Sequence, residues 1–506
     1  MSMAAMPRTE AATSTNAMTV GLVIALGIVL SIAVVVAGSW AIAGIIGLYL
    51  FLVFLREPVR GLYLTTILLL VSGIAIPLGG TLVTMPGAAA RLCGIAALAA
   101  WVLHTFTARK QLRLGWDTWA VLAFAAWSLV SIGYSLLWRI QLPEWTRMLN
   151  LIAYFIFAIH VLDTKEKLHN YVIIIVSCAA AMSLYAIMQY LLPIYQFVGV
   201  AGIEGIGSGA DLAFVDPEGT SSSAAVRVTG GTGHSNWLAF TLLLVMPLNI
   251  YWYATRQSRG AKAFVIAITL VQLAALVLTF TRLGLIVGLL IVLVLLAKRS
   301  VRLTPHRVAG LAVALLIAWF ALPAAYKERV IDFTKYSRSE STAARVELQQ
   351  FAWKYMQEYP MLGIGIAGFG PRFYEENTDT AQMLRWMVRY LGWNPIYYGP
   401  HNFYLQVGAE AGTIGLLIML FFVVRALLNT QRAERIFREE GSARFALLAG
   451  TLTVSVLSFV FCGLFLHALQ QKIWWMIFAA AAALPYIAAR TAEDTETYDG
   501  VNPKYD

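Results

Sequence analysis

Three side chains stand out by type and setting as able to do chemistry. His401 stands in Pro400-His401-Asn402-Phe403, where a polar stretch gives way to an apolar one. An imidazole titrates near neutral pH and is costly to keep at a membrane boundary without a use, which makes it the first candidate for a general base. Its neighbour Asn402 could hold the ring in one tautomer. Glu410, two turns further on, would sit inside a bundle, either as a working carboxylate or as half of a buried ion pair. Arg282, in Thr279-Phe280-Thr281-Arg282-Leu283-Gly284, interrupts a long apolar stretch. It either snorkels to the interface or stands as a fixed cation facing phosphate, which its planar fork binds through two oxygens. Arg227 precedes the glycine-rich Thr229-Gly230-Gly231-Thr232-Gly233-His234, where backbone can approach a ligand closely; the plainer reading is a solvated arginine on a loop.

Taken together, two arginines and one histidine from separate loops of an apolar protein suit a lipid-linked diphosphate. The arginines would hold the diphosphate and stabilise charge on it as it leaves. The histidine would take a proton from an attacking hydroxyl. No histidines are spaced as metal ligands, and there is no G-x-G-x-x-G, P-loop or paired-aspartate motif, so neither a metal nor a cofactor is expected. Two further histidines, His234 and His467, lie near the same boundary and rank behind His401. His104, His160, His169 and His306 read as structural.

The elements that must position these groups are membrane spans. The 506 residues are 59% hydrophobic and 13% charged, with mean hydropathy +0.71. A soluble surface of this size cannot be covered with so few charges. Apolar runs near 18–37, 39–55, 61–78, 88–107, 117–137, 148–162, 170–192, 236–254, 263–280, 283–297, 308–325, 403–424, 444–466 and 472–489 predict an all-α, polytopic transmembrane helical bundle of about 12 to 14 spans. The first apolar run reads as a signal-anchor rather than a cleaved signal. Basic turns such as Arg109/Lys110/Arg113 and Lys298/Arg299/Arg302 alternate with Lys- and Arg-poor ones, which places both termini in the cytoplasm. The basic turns suit anionic membrane lipids, and nothing suggests nucleic acid. Cys93, Cys178 and Cys462 all fall within spans and read as packing residues.

The expected organisation is a cytoplasmic tail (1–17), N-terminal spans (18–192), a first outer loop (193–235), central spans (236–325), a long outer loop (326–402), C-terminal spans (403–489) and a cytoplasmic tail (490–506). The long loop is expected to be partly helical. Ser337-Arg338-Ser339-Glu340 has the form of a capping box, and Ala344, Leu348, Phe351, Tyr355 and Tyr359 form a stripe that Pro360 ends. Glycines 363, 365, 368 and 370 then predict a flexible or close-packed turn. A second, interfacial helix is expected near Met383–Trp393, with Arg385 and Arg389 on one side.

With those residues in view, the sequence resembles the O-antigen ligase / O-antigen polymerase superfamily of bacterial integral membrane glycosyltransferases, over about residues 140–485. The ligase signature is His, then Asn, Ser or Gln, nine residues, then Gly-x-x-Gly. It reads here as His401-Asn402, Phe403 to Ala411, and Gly412-Thr413-Ile414-Gly415. Arg227 with Asn236 and Pro247, and the Thr281-Arg282-Leu283-Gly284 turn, fit the family's two arginine positions, though leucine replaces the usual small residue at 283. The resemblance implies a metal-independent, inverting transfer of a glycan from undecaprenyl diphosphate at the periplasmic face of the inner membrane. His401 would be the general base, and Arg227 and Arg282 the diphosphate ligands. The acceptor would be lipid A-core for a ligase or a second lipid-linked glycan for a polymerase. A polymerase holds two such lipids and needs a second basic cradle, for which Arg338, Arg345, Arg385 and Arg389 are candidates. A transporter, of a different class, would show mid-membrane charges and matching broken halves, and the sequence shows few of the first and none of the second.

Overall fold

The computed structural model describes residues 39–78, 81–84, 87–109, 111–192, 227–298, 340–376 and 398–499. The predicted spans 18–37 and 308–325, the predicted helix near 383–393, and Arg338, Arg385 and Arg389 lie outside them. Among the described residues, fifteen helices run in order: α1 Ser39–Arg56, α2 Pro58–Val71, α3 Gly87–Thr107, α4 Trp116–Gly133, α5 Trp138–Val161, α6 Lys165–Leu191, α7 Ser235–Val245, α8 Leu248–Thr255, α9 Arg259–Leu278, α10 Arg282–Ala297, α11 Glu340–Glu358, α12 Phe369–Glu376, α13 Phe403–Glu439, α14 Ala443–Cys462 and α15 Lys472–Asp499. Among the described residues, seven helices are long and apolar enough to cross a membrane, or eight with α7 and α8 taken as one span bent by 44°. Helices α1, α2 and α10 supply shorter apolar segments. The molecule is a multi-pass, all-α membrane protein.

One departure from all-helix concerns the apolar run 61–78. Its helix stops at Val71, and an antiparallel hairpin follows, β1 Ala75–Leu78 with β2 Thr81–Thr84, pairing Ala75 with Thr84 and Leu78 with Thr81. Pro77 disfavours continuation of the helix there. Helix α12 in the long loop is the second unpredicted element, whereas α11 follows the expected stripe: Leu348 and Tyr355 are buried, and the helix ends at Glu358, two residues before Pro360.

The C-terminal helix α15 runs through the centre. Residues Ile473 to Leu484 are nearly all buried, and the alanines from Ala479 to Ala483 let neighbouring helices approach closely. Above that run sits an aromatic cluster. Phe403, the first residue of α13, packs edge-on against Phe459 (5.0 Å) and Trp474 (6.0 Å). This anchors the start of α13, and with it the two residues before it, His401 and Asn402.

Helix α13 is two helical segments meeting at Gly412, whose φ of 69° and ψ of −177° are non-helical. The break frees backbone carbonyls inside the protein, where an unpaired carbonyl is costly. The loop after α11 satisfies them. Ile364 N donates to Ala409 O (2.9 Å), Gly365 N to Glu410 O (2.9 Å), and in return Thr413 N donates to Pro360 O (2.8 Å). From α4, Trp127 Nε1 reaches Ala411 O (2.8 Å), and the Ser131 hydroxyl bonds both Glu410 O (2.9 Å) and Leu362 O. Gly363 and Gly412 make this contact possible. Both have positive φ, a Cβ on Gly363 would come within 2.5 Å of the Glu410 carbonyl carbon, and one on Gly412 would strike Met361 O. The first glycine of the Gly-x-x-Gly motif, Gly412, thus lies at a seam joining loop to membrane helix, while Gly415 packs against Ala411 and Trp127. The glycines at 363 and 365 make a close-packed turn, not a flexible one.

Candidate active site

Three helices begin at the same end of the bundle, each with its own cap. His234 Nδ1 accepts from Asn236 N (3.1 Å) at the start of α7, and the Thr281 hydroxyl accepts from Gly284 N (3.2 Å) at the start of α10. Asn402 Oδ1 accepts from Tyr404 N (2.9 Å) and Leu405 N (3.0 Å) at the start of α13. Helix N-termini carry partial positive charge, so this end of the molecule favours an anion before any side chain is counted.

Arg227 and the turn carrying Arg282 are brought together. Val228 N donates to Leu278 O (3.3 Å), laying the residue 227 segment along the end of α9. The Arg227 guanidinium donates through Nε to Thr279 O (3.1 Å) and through Nη2 to Asn236 Oδ1 (3.2 Å). It is therefore fixed between the turn that leads into α10 and the first turn of α7. That turn is tight: Phe280 has φ of 49°, and the Thr279 and Thr281 hydroxyls lie 3.2 Å apart. Arg282 follows as the first residue of α10, half-buried. Behind Arg227, Gln189 Oε1 accepts from Thr229 N (3.0 Å) and Gly230 N (2.9 Å), which orders the glycine-rich stretch. Gly231, with φ of 83°, sits directly on Gly73, so neither position has room for a side chain.

A line of rings leads from there to His401. His234 and Trp237 have centroids 6.5 Å apart, Trp237 and His467 6.0 Å, and His467 and His401 5.0 Å at 72°. His401 itself has φ of 49°, a left-handed conformation uncommon outside glycine, which turns the backbone sharply into α13. Its Nδ1 is enclosed by protein and has no hydrogen-bond partner among the described residues. Burial holds its pKa well below the ordinary imidazole value, and the nearby His467, Arg345 and His234 push it in the same direction. The ring is therefore neutral at physiological pH and able to accept a proton.

The sequence candidates fare differently. Arg345, on α11, lies close enough to His401 to act on its charge. Asn402 does not reach the His401 ring: its amide caps α13 and donates to Leu464 O (3.3 Å), so its part is to fix the backbone. Glu410 is buried but forms no ion pair among the described residues. Its Oε1 accepts from Phe369 N (3.4 Å) at the start of α12, and its Oε2 has no partner among them. It tethers the loop. Arg338 and Arg389 lie outside the described residues. His467 is the residue underrated by sequence reasoning. It comes from the turn between α14 and α15, and no local pattern links it to residue 401.

Gln141 and Glu144 of α5 were not singled out at all. Both are buried beneath the loop, with Gln141 Nε2 donating to Ile364 O (2.9 Å) and Glu144 paired with Arg147 (2.6 Å). The histidines read as structural are so where described: His160 Nε2 accepts from Arg113 N (2.7 Å), and His104 and His169 bond Leu55 O and the Tyr251 hydroxyl. Among the described residues, no group of three or more His, Cys, Asp or Glu is placed to hold a metal ion.

Residues 267–420 match the family model described as O-antigen ligase. The matched stretch takes in both Arg282 and the whole run from His401 to Gly415, and it supports the O-antigen ligase superfamily as the family of this protein. No individual curated protein matches it.

Proposed function

From that family assignment we propose that the protein is an O-antigen ligase-type glycosyltransferase. It moves a glycan from undecaprenyl diphosphate to a sugar hydroxyl of lipid A-core at the periplasmic face of the inner membrane, without a metal. The observation that carries this reading is the unbroken run of contacts from Arg227 and the Arg282 turn, through Asn236, Trp237 and His467, to a half-buried imidazole. Cations and a base then share one end of an apolar bundle, as a lipid diphosphate and a hydroxyl would require.

In the reaction, His401 takes the proton of the acceptor hydroxyl as its oxygen bonds to the anomeric carbon. The bond from that carbon to the diphosphate oxygen breaks on the opposite face, and the configuration inverts. Arg227, Arg282 and the helix N-termini stabilise the charge that grows on the leaving diphosphate. A second reading, a polymerase of the same superfamily, is favoured by Arg345, which brings a further cation beside His401 and could serve a second lipid diphosphate.

The test is a gene-deletion strain carrying wild type or His401→Ala, with envelope glycans separated on gels. Lipid A-core lacking long glycan, with lipid-linked polymer accumulating, identifies a ligase. Single repeat units alone identify a polymerase. An unchanged pattern in the deletion refutes both.

A further inference from the structure

We propose that His467 is a positioning residue for the reaction, holding the His401 ring edge-on in the orientation that receives the acceptor proton. The proposal rests on His401 being the general base. His467 is itself tightly placed. Gly399, two residues before His401, packs on the His467 ring so closely that a Cβ there would come within 2.6 Å of it. Trp237 closes another side, edge-on at 6.0 Å. The turn carrying His467 is fixed by Trp474 Nε1 donating to Ala468 O (2.8 Å) and by Leu469 N donating to Gln406 Oε1 (3.4 Å). That ring meets His401 at 5.0 Å and 72°.

His401 needs such a support. In many histidine bases a carbonyl or carboxylate on the second ring nitrogen fixes both tautomer and orientation. Here Nδ1 has no partner among the described residues, and the Asn402 amide is committed to backbone. Orientation must then come from packing, and the packing group on the His401 ring is His467. The charged and titratable groups facing His401 are His467 from the α14–α15 turn, Arg345 from α11 and His234 from the start of α7. All three disfavour imidazolium at 401, and among the described residues His467 is the one in ring contact with it.

The experiment measures pH–rate profiles for glycan transfer from a polyprenyl diphosphate donor by purified wild type, His467→Gln, His467→Phe and His401→Ala. Without His467 the imidazolium of His401 is less disfavoured. Its pKa rises toward the ordinary value, and the acidic limb of kcat moves to higher pH in both His467 variants. His467→Gln, which also loses the ring, falls on the order of tenfold in kcat at the plateau, whereas His467→Phe, which keeps the packing, falls less. The donor KM stays as in wild type. An acidic limb unmoved in both variants, or a raised donor KM with kcat intact, overturns the proposal. Activity in His401→Ala overturns the general-base reading instead. If neither His467 variant is recovered folded, Trp237→Leu removes the ring that closes the other side of His467 while keeping both imidazoles, and a fall in kcat with the donor KM unchanged is then required.

Discussion

Helix α13 is one element with two contrasting ends. At its far end, the buried carboxylate of Glu434 is held by Lys298 (2.7 Å) and by Arg438, and Asp117 of α4 is held by Asn429 (3.0 and 3.1 Å) and Arg425 (3.4 Å). Opposite charges meet there, on regular helix. At its near end, left-handed backbone occurs at both His401 and Gly412. The buried Glu410 has backbone N–H for a partner rather than a cation. His401 sits among groups that share its sign when charged. Such an arrangement adds nothing to stability. Strained backbone and mismatched charge persist where the surrounding structure imposes them, and they cluster where a protein works. One end of the helix is built to hold, and the other to act.

Substitutions at the two ends should therefore separate rate from stability. His401→Ala should lower transfer by on the order of 10² to 10⁴-fold while leaving insertion and thermal melting as in wild type, checked by assay and by melting of the purified protein. Full activity would make the near end merely structural. Arg282→Lys should cost roughly a hundredfold, because a point charge cannot replace a planar fork on phosphate; normal turnover would reduce Arg282 to a positional charge. Gly412→Ala should act on stability, lowering it by about 1–3 kcal/mol in chemical denaturation, since the new Cβ meets Met361 O at a positive φ. An unchanged midpoint would mean that the seam carries little. The smallest effect belongs to the far end. Lys298→Ala leaves Arg438 on Glu434, so it should cost below about 1 kcal/mol and leave the transfer rate alone. A large loss of rate there would erase the contrast.

How far the sequence revealed these ends depends on how local each signal is. The His401 signature, the Thr281-Arg282 turn and the α11 stripe are patterns within a few residues, and each was legible. The hairpin was not, because apolar runs near Leu70 and Leu78 look alike whether helical or extended. Met246-Pro247 bends one expected span into α7 and α8, and hydropathy alone is blind to a bend. The predicted span 403–424 stops where hydrophobicity stops, whereas α13 continues to Glu439 as a charged helix. Glu410's backbone partner and the contact of His467 with His401 join segments dozens of residues apart, and no spacing rule reports such a meeting.

The seam at Gly412 bears on how the long loop can change over time. On the loop's side its bonds use backbone amides and carbonyls, and such atoms do not register which side groups flank them. Met361 points largely outward, so its identity is free of this contact, whereas the glycines at 363, 365, 368 and 412 are fixed by space. The loop is thus attached by a grip indifferent to most of its own wording. Its outer face can be rewritten for a different acceptor while its register against the membrane helix, and the distance from that face to the histidine, stays the same.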